Sequence, residues 1–212
     1  DTDGDGTFES TDSVFEGTPG QTADYRYAVT NNSVTTDPVT LTTLFDDKVG
    51  DILSLGTVVE KLGGNDDDVF DSGETWVYEV QDAAIAVGNV GDTYVNNVDA
   101  QGVDDEGTLT NLAEDLATIT YDNVAPEVFV DKSGPGQVIT SKSASSPPVT
   151  ATYTIVITAS AANASTDPFT VTSIMDDKFG NLLAEAETAN GGTIVLDPGE
   201  SFSFDITREL DL

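Results

Sequence analysis

Residues 36–53, TDPVTLTTLFDDKVGDIL, return at residues 166–183 as TDPFTVTSIMDDKFGNLL. At this shift of 130 residues, 10 of the 18 positions are identical, and most others are conservative, as at Leu41/Val171, Leu44/Ile174 and Ile52/Leu182. The match extends both ways with small gaps. Thr22-Ala23-Asp24-Tyr25 pairs with Thr150-Ala151-Thr152-Tyr153, and Asp71-Ser72-Gly73-Glu74 with Asp197-Pro198-Gly199-Glu200. One structural unit is used twice, and repetition of this kind points to an array before it points to an active site.

The hydrophobic period within each copy is two. Ala23, Tyr25, Tyr27 and Val29 alternate with polar residues, as do Val39, Leu41 and Phe45; Trp76, Tyr78 and Val80; and Ala117, Ile119 and Tyr121. The second copy repeats the pattern at Tyr153, Ile155 and Ile157; Phe169, Val171 and Met175; and Phe202, Phe204 and Ile206. Such alternation, rich in Thr and Val, predicts half-buried strands, with Pro, Gly, Asn and Asp clusters marking the turns between them. About seven short strands per unit predict an all-β chain of tandem immunoglobulin-like β-sandwich domains, without the Cys–Trp–Cys signature. Leu112–Leu116 reads as a helical turn.

The repeat phase sets a boundary near Tyr121–Pro126, giving one domain over residues 1–124 and another over 125–212. The second opens with an alternating strand, Glu127-Val128-Phe129-Val130-Asp131-Lys132, that has no counterpart in the first. The first ends with strands around 93–100 and 116–121 that have no counterpart in the second. Ser141 to Pro148 is expected to be a long polar loop. Each domain is thus expected to lack strands, to be completed by neighbouring repeats or by copies of the same protein.

With 39 acidic and 7 basic residues the formal net charge is −32. Binding a phosphate backbone or an anionic membrane surface needs Lys and Arg, so the charge argues against both nucleic acid and such membranes as partners, and no apolar run approaches about 18 residues, so no membrane insertion is expected. The acid is uneven. Residues 1–128 hold 28 acidic and 3 basic residues, against 11 and 4 in residues 129–212. Concentration in one repeat fits cation sites better than a uniformly halophilic surface. Cysteine is absent, which excludes disulfides and thiolate metal sites and leaves calcium as the expected staple.

TDPVTLTTLFDDKVGDIL, FDSGETWVYEV and YVNNVDAQGVDDEGTLTNLAEDLATITY resemble the Ig-like repeats of giant bacterial surface proteins and adhesins. The resemblance spans nearly the whole chain and identifies a repeat type rather than an activity. It implies an extended stalk or fibre at the cell surface, outside the cell, often with calcium. Many such repeats carry a cysteine pair that this chain lacks.

The clearest chemical signal is the opening DTDGDGTFESTD. Asp1, Asp3 and Asp5, a glycine at the sixth place, the Thr7 carbonyl and Asp12 follow the spacing of an EF-hand-type calcium loop, with Asp in place of Glu at the twelfth. A looser version runs from Gly63 to Glu74, offering Asn65, Asp67, Asp71 and Glu74, with Asp66 or Asp68 as substitutes. A third set, Asp46, Asp47, Asp104 and Asp122, is a possible metal site at the domain junction, set against a solvated turn capped by Lys48. Asn31 and Asn163 head N-x-S sequons in loops expected to be exposed, able to accept glycan in a suitable host but unmodified by default, since short sequons arise often by chance.

The chain has no His and no Cys, so the usual triads and zinc sites are absent, and no carboxylate pair is marked as flanking a cleft. Trp76 is expected in the core. The sequence therefore favours a non-enzymatic structural segment of a secreted fibre or adhesin stalk, stiffened by calcium. One alternative is a filament subunit joined by strand or domain pairing. The other is a module binding glycan or another cell-surface ligand through Thr-rich faces such as Thr40, Thr42, Thr170 and Thr172.

Overall fold

The computed structural model describes residues 1–65, 67–136 and 149–209, so the Asp66 and Ser141–Pro148 expectations lie outside the described residues. Among the described residues the chain is all-β apart from two short helices. It divides into two compact units, Asp1–Asn123 and Val124–Leu212.

Unit one is built from β1 (Thr11–Phe15), β2 (Thr22–Thr30), β3 (Val39–Asp46), β4 (Gly50–Asp51), helix α1 (Ile52–Leu55), β5 (Thr57–Leu62), β6 (Thr75–Ala84), β7 (Thr93–Asp104) and β8 (Ala113–Asp122). One sheet has the order β1-β8-β7-β3-β4 and the other β2-β6-β5. All pairings are antiparallel except β1 with β8, which run parallel from Thr11↔Thr118 to Phe15↔Asp122. Val14, Leu44, Ile119 and Tyr121 from the first sheet, Ala23, Tyr25, Tyr27 and Tyr78 from the second, and Ile52 of α1 share one core. This is a sandwich in which alternate residues of each strand face inward. Leu44 and Ile52 are fully buried, a contribution of about 1.5–3 kcal/mol each.

Unit two contains β9 (Val128–Ser133), β10 (Thr150–Ala159), β11 (Phe169–Thr170), β12 (Met175–Asp176), β13 (Gly180–Asn181), α2 (Leu183–Asn190), β14 (Val195–Leu196) and β15 (Ser201–Glu209). Its main sheet is β15-β10-β9, accompanied by the short pairs β11-β14 and β12-β13. Its core is aliphatic and phenylalanine-rich, with Ile155, Ile157, Val171, Leu182, Ile194, Phe204 and Ile206 buried.

Three details differ from the sequence reading. Leu112–Leu116 is not a helical turn, because β8 starts at Ala113 and pairs along β7, where ladder bonds override local preference. Phe45 and Met175 face outward, at 47% and 70% exposure, while their neighbours Leu44 and Ile174 are buried. In unit one a register shift between Leu41 and Thr43 inverts the alternation halfway along β3. Finally, α2 forms from Leu183-Ala184-Glu185-Ala186-Glu187, a run of strong helix formers, and stops at Gly191 in the left-handed conformation (φ 80°).

The repeated motifs build the same turns in both units. In the first copy of Asp-Asp-Lys, Asp46 Oδ1 accepts the amides of Lys48 and Val49, both at 2.8 Å. In the second, Asp176 Oδ1 accepts those of Lys178 and Phe179 at 2.8 and 3.0 Å. The Asp-x-Gly-Glu turns also close on themselves. Asp71 N donates to Glu74 Oε2 and Glu74 N to Asp71 O, and Asp197 and Glu200 do the same. These carboxylates supply what a tight turn lacks, acceptors for its unpaired amides.

Candidate functional site

The opening loop is fastened at both ends. Asp1 and Asp24 exchange main-chain hydrogen bonds, Asp1 N to Asp24 O at 3.1 Å and Asp24 N to Asp1 O at 2.9 Å. At the other end Thr11 enters β1. Between them the chain curls around its own carboxylates. Asp1 accepts the amides of Gly4 (2.7 Å) and Gly6 (2.9 Å), Asp3 that of Asp5 (3.1 Å), and Asp5 that of Thr7 (2.7 Å). Gly4 and Gly6 have φ of 76° and 83°, a backbone that other residues adopt only with strain.

The curl brings one carboxylate oxygen from each of Asp1, Asp3 and Asp5 within 4.8 Å of one another, the sole such group of three among the described residues. Asp3 and Asp5 are exposed and Asp1 is half-buried. Each pair of charges at that spacing repels by about 1 kcal/mol in water. A hard divalent cation, which takes oxygen ligands, would reverse the sign of that interaction. Asp12 does not join the group. Its Oδ2 accepts Thr2 N at 2.8 Å and its Oδ1 accepts Ser13 N at 2.7 Å, so it ties the loop to the start of β1.

The second acidic loop is arranged differently. Glu74 is buried at 3% exposure and accepts Trp76 Nε1 at 3.1 Å as well as the Asp71 amide. Asn65 Oδ1 takes the Asp67 amide and Asp67 Oδ1 that of Val69. A cation already sits here. Lys61 Nζ, reaching in from β5, donates to Asp67 O at 2.6 Å and Asp68 Oδ1 at 2.8 Å, and lies 4.4 Å from the centre of the Trp76 ring. Asn65, Asp67, Asp71 and Glu74 thus serve turn and core, and Asp67, Asp71 and Glu74 do not converge. Trp76 packs on Phe70 with ring centres 5.0 Å apart and is half-buried against the core rather than within it.

Asp46, Asp47, Asp104 and Asp122 do not form one group. Asp46 pairs with Val98 and Asp104 with Val39, so they stand at opposite ends of β3, roughly 23 Å apart at about 3.3 Å per residue. Asp46 is fully buried and its Oδ2 accepts Tyr27 Oη at 2.8 Å. Asp47 takes Asn97 N (2.8 Å) and Lys48 Nζ (2.6 Å), Asp104 takes Thr108 N (2.6 Å), and Asp122 takes Ser13 Oγ (2.8 Å).

The two sequons are corrected. Asn31 and Asn163 are buried, at 5% and 7% exposure. Asn31 Nδ2 donates to Phe70 O at 2.8 Å, and Asn163 bridges both main-chain groups of Glu127, accepting from N at 2.7 Å and donating to O at 3.1 Å. Their amide nitrogens are hydrogen-bonded within the fold, so the loops do not expose them as expected.

Sequence spacing missed Lys61, because an ammonium arriving from a preceding strand leaves no mark on the carboxylate pattern. No helix among the described residues is long and apolar enough to cross a membrane. Comparisons with protein-family models, curated proteins and solved structures return no match to this chain.

Proposed function

We propose that the chain is a non-enzymatic structural segment of a bacterial cell-surface fibre or adhesin stalk. It consists of Ig-like units and carries one calcium at Asp1, Asp3 and Asp5, with the Thr7 carbonyl as a further oxygen. The observation that carries the cation is the convergence of these three carboxylates at the head of a loop fastened to β2. For unit one the Ig-like assignment is supported by the neighbours β8-β7-β3 and β2-β6-β5, which follow the strand orders of that sandwich, with β1 added beside β8. A structural role is supported by the repetition of turn chemistry rather than of a cleft. The extracellular setting rests on the resemblance in sequence alone.

Binding would remove repulsion within the loop and link unit-one stability to ion concentration. Thermal unfolding in calcium and in excess chelator tests this. The expected outcome is a higher melting temperature for unit one in calcium, an unchanged one for unit two, and loss of the shift in Asp3→Asn/Asp5→Asn. Equal shifts in both units, or none, would sink the cation.

The structure supports narrowing the expected calcium sites to this one loop. At the second loop the Lys61 ammonium is already in place.

A further inference from the structure

The two units differ at one sheet edge. In unit two, β9 lies antiparallel on β10, from Ser133↔Thr154 to Val128↔Ala159. In unit one, β2 is the edge of its sheet, and among the described residues no strand pairs with its outer side. The two edges correspond residue by residue at a shift of 128. Asn31 N donates to Glu74 O and accepts at its own carbonyl from Gly73 N. Ala159 does the same with Glu200 and Gly199. Since N–H groups alternate sides along a strand, Asn31 faces β6, and Asp24, Arg26, Ala28 and Thr30 face outward. The Asp24–Asp1 pair fits that phase.

Asp1 also fixes a register. Extending the β9–β10 pairing two residues past Ser133 sets position 135 opposite Thr152, the counterpart of Asp24. Asp1 therefore stands opposite β2 at the register position that 135 holds opposite β10. The bulge in this sheet, between Ala23 and Tyr25 of the register, places its extra residue on β6, where Asp82 has φ 56°, so β2 itself is regular.

We propose that the outer edge of β2, Arg26 to Thr30, is a strand-acceptor site. Its occupant is an extended segment of β9-like sequence, antiparallel to β2 and in line with Asp1. The segment's main chain bonds Arg26, Ala28 and Thr30, and its alternate side chains stand beside Tyr27 and Val29 over the core. The proposal goes beyond the stalk reading and does not depend on a cation. Asp46 Oδ2 already has Tyr27 Oη, so the lysine that serves Asp176 from β9 has no carboxylate to meet on β2.

The test is made in chelator. Residues 127–134, EVFVDKSG, are placed directly ahead of Asp1 in the full chain, which sets the serine opposite Arg26 and the phenylalanine opposite Thr30. Amide exchange is expected to slow by about tenfold or more at Arg26, Ala28 and Thr30. One extra glycine before Asp1 should cancel the effect, since a one-residue slip turns every side chain to the other face. In trans, the peptide EVFVDKS should bind the original chain and protect the same amides. Ala28→Pro, tolerated at an edge whose N–H is unpaired, should abolish binding. A Lys-to-Val peptide should bind β2 no worse. Unchanged exchange in the graft, or equal binding by Ala28→Pro, overturns the proposal. Concentration-dependent dimers of the original chain that Ala28→Pro dissolves would give the edge to a second copy and overturn the choice of occupant.

Discussion

The same turn sequence sits at Asp46-Asp47-Lys48 and Asp176-Asp177-Lys178, and the two differ in how they quiet one oxygen. In unit one the second oxygen of Asp46 meets a buried phenol, Tyr27 Oη. In unit two that of Asp176 meets the Lys132 ammonium, itself 4.9 and 4.8 Å from the ring centres of Tyr153 and Phe179. The difference runs through both cores. Five of the six tyrosines lie in unit one, whereas unit two is packed with aliphatic side chains and phenylalanine. A repeated motif therefore fixes the backbone of a turn, while its electrostatics are left to whichever side chain the neighbouring strand provides.

Removing the carboxylates should separate the units most. Asp46→Ala leaves a buried phenol and two part-buried amides without their acceptor, at a cost on the order of 3 kcal/mol. Asp176→Ala should cost less, because Lys132 can turn to solvent. Denaturant unfolding of each variant checks this, and equal losses would break the comparison.

Alkali should come next. Burial raises the phenols of Tyr25, Tyr27, Tyr78, Tyr94 and Tyr121 above the ordinary tyrosine value, Tyr25 to about 12. A group raised on folding stabilises fully below its unfolded value, and that stabilisation is lost as pH climbs through the folded one. Unit one should therefore lose stability between about pH 10 and 12. Trp76 is the only tryptophan, so its fluorescence reports unit one alone. An early transition there, with amide exchange in unit two unchanged, is the expected result.

The smallest effect belongs to acid. The Lys132 ammonium, with the amides of Lys178 and Phe179, holds Asp176 down to about 2. Its contribution is present above the ordinary value of 3.8 and drains as pH falls towards 2. Lys132→Met should flatten the acid dependence of unit-two amide exchange in that window and leave unit one alone. An unchanged profile would remove the ion pair from the account.

Much of this was legible in the sequence because it is periodic or local. Alternation located β2, β6, β8, β10 and β15, and the Asp-x-Asp-x-Asp-Gly spacing identified the residues that converge at the opening loop. What was hidden depends on partners remote in sequence. The shift between Leu41 and Thr43 is set by pairing with β7, and it reverses which of Leu44 and Phe45 is buried. Asn31 and Asn163 carry surface motifs, yet their amides answer carbonyls 39 and 36 residues away. Helix α2 was a different failure. Its propensity is plain at Ala184–Glu187, but the matching place in unit one holds only the four-residue α1, so the repeat does not predict an eight-residue helix.

The parallel pairing of β1 with β8 has a mechanical consequence. The two strands point the same way, so tension applied at opposite ends of unit one pulls them past each other along their length. Every bond between Thr11–Phe15 and Thr118–Asp122 then carries load at once, in shear, rather than parting one after another as in a peeled hairpin. Under force, the short strand β1 would be the clasp that sets the unfolding rate of the whole unit.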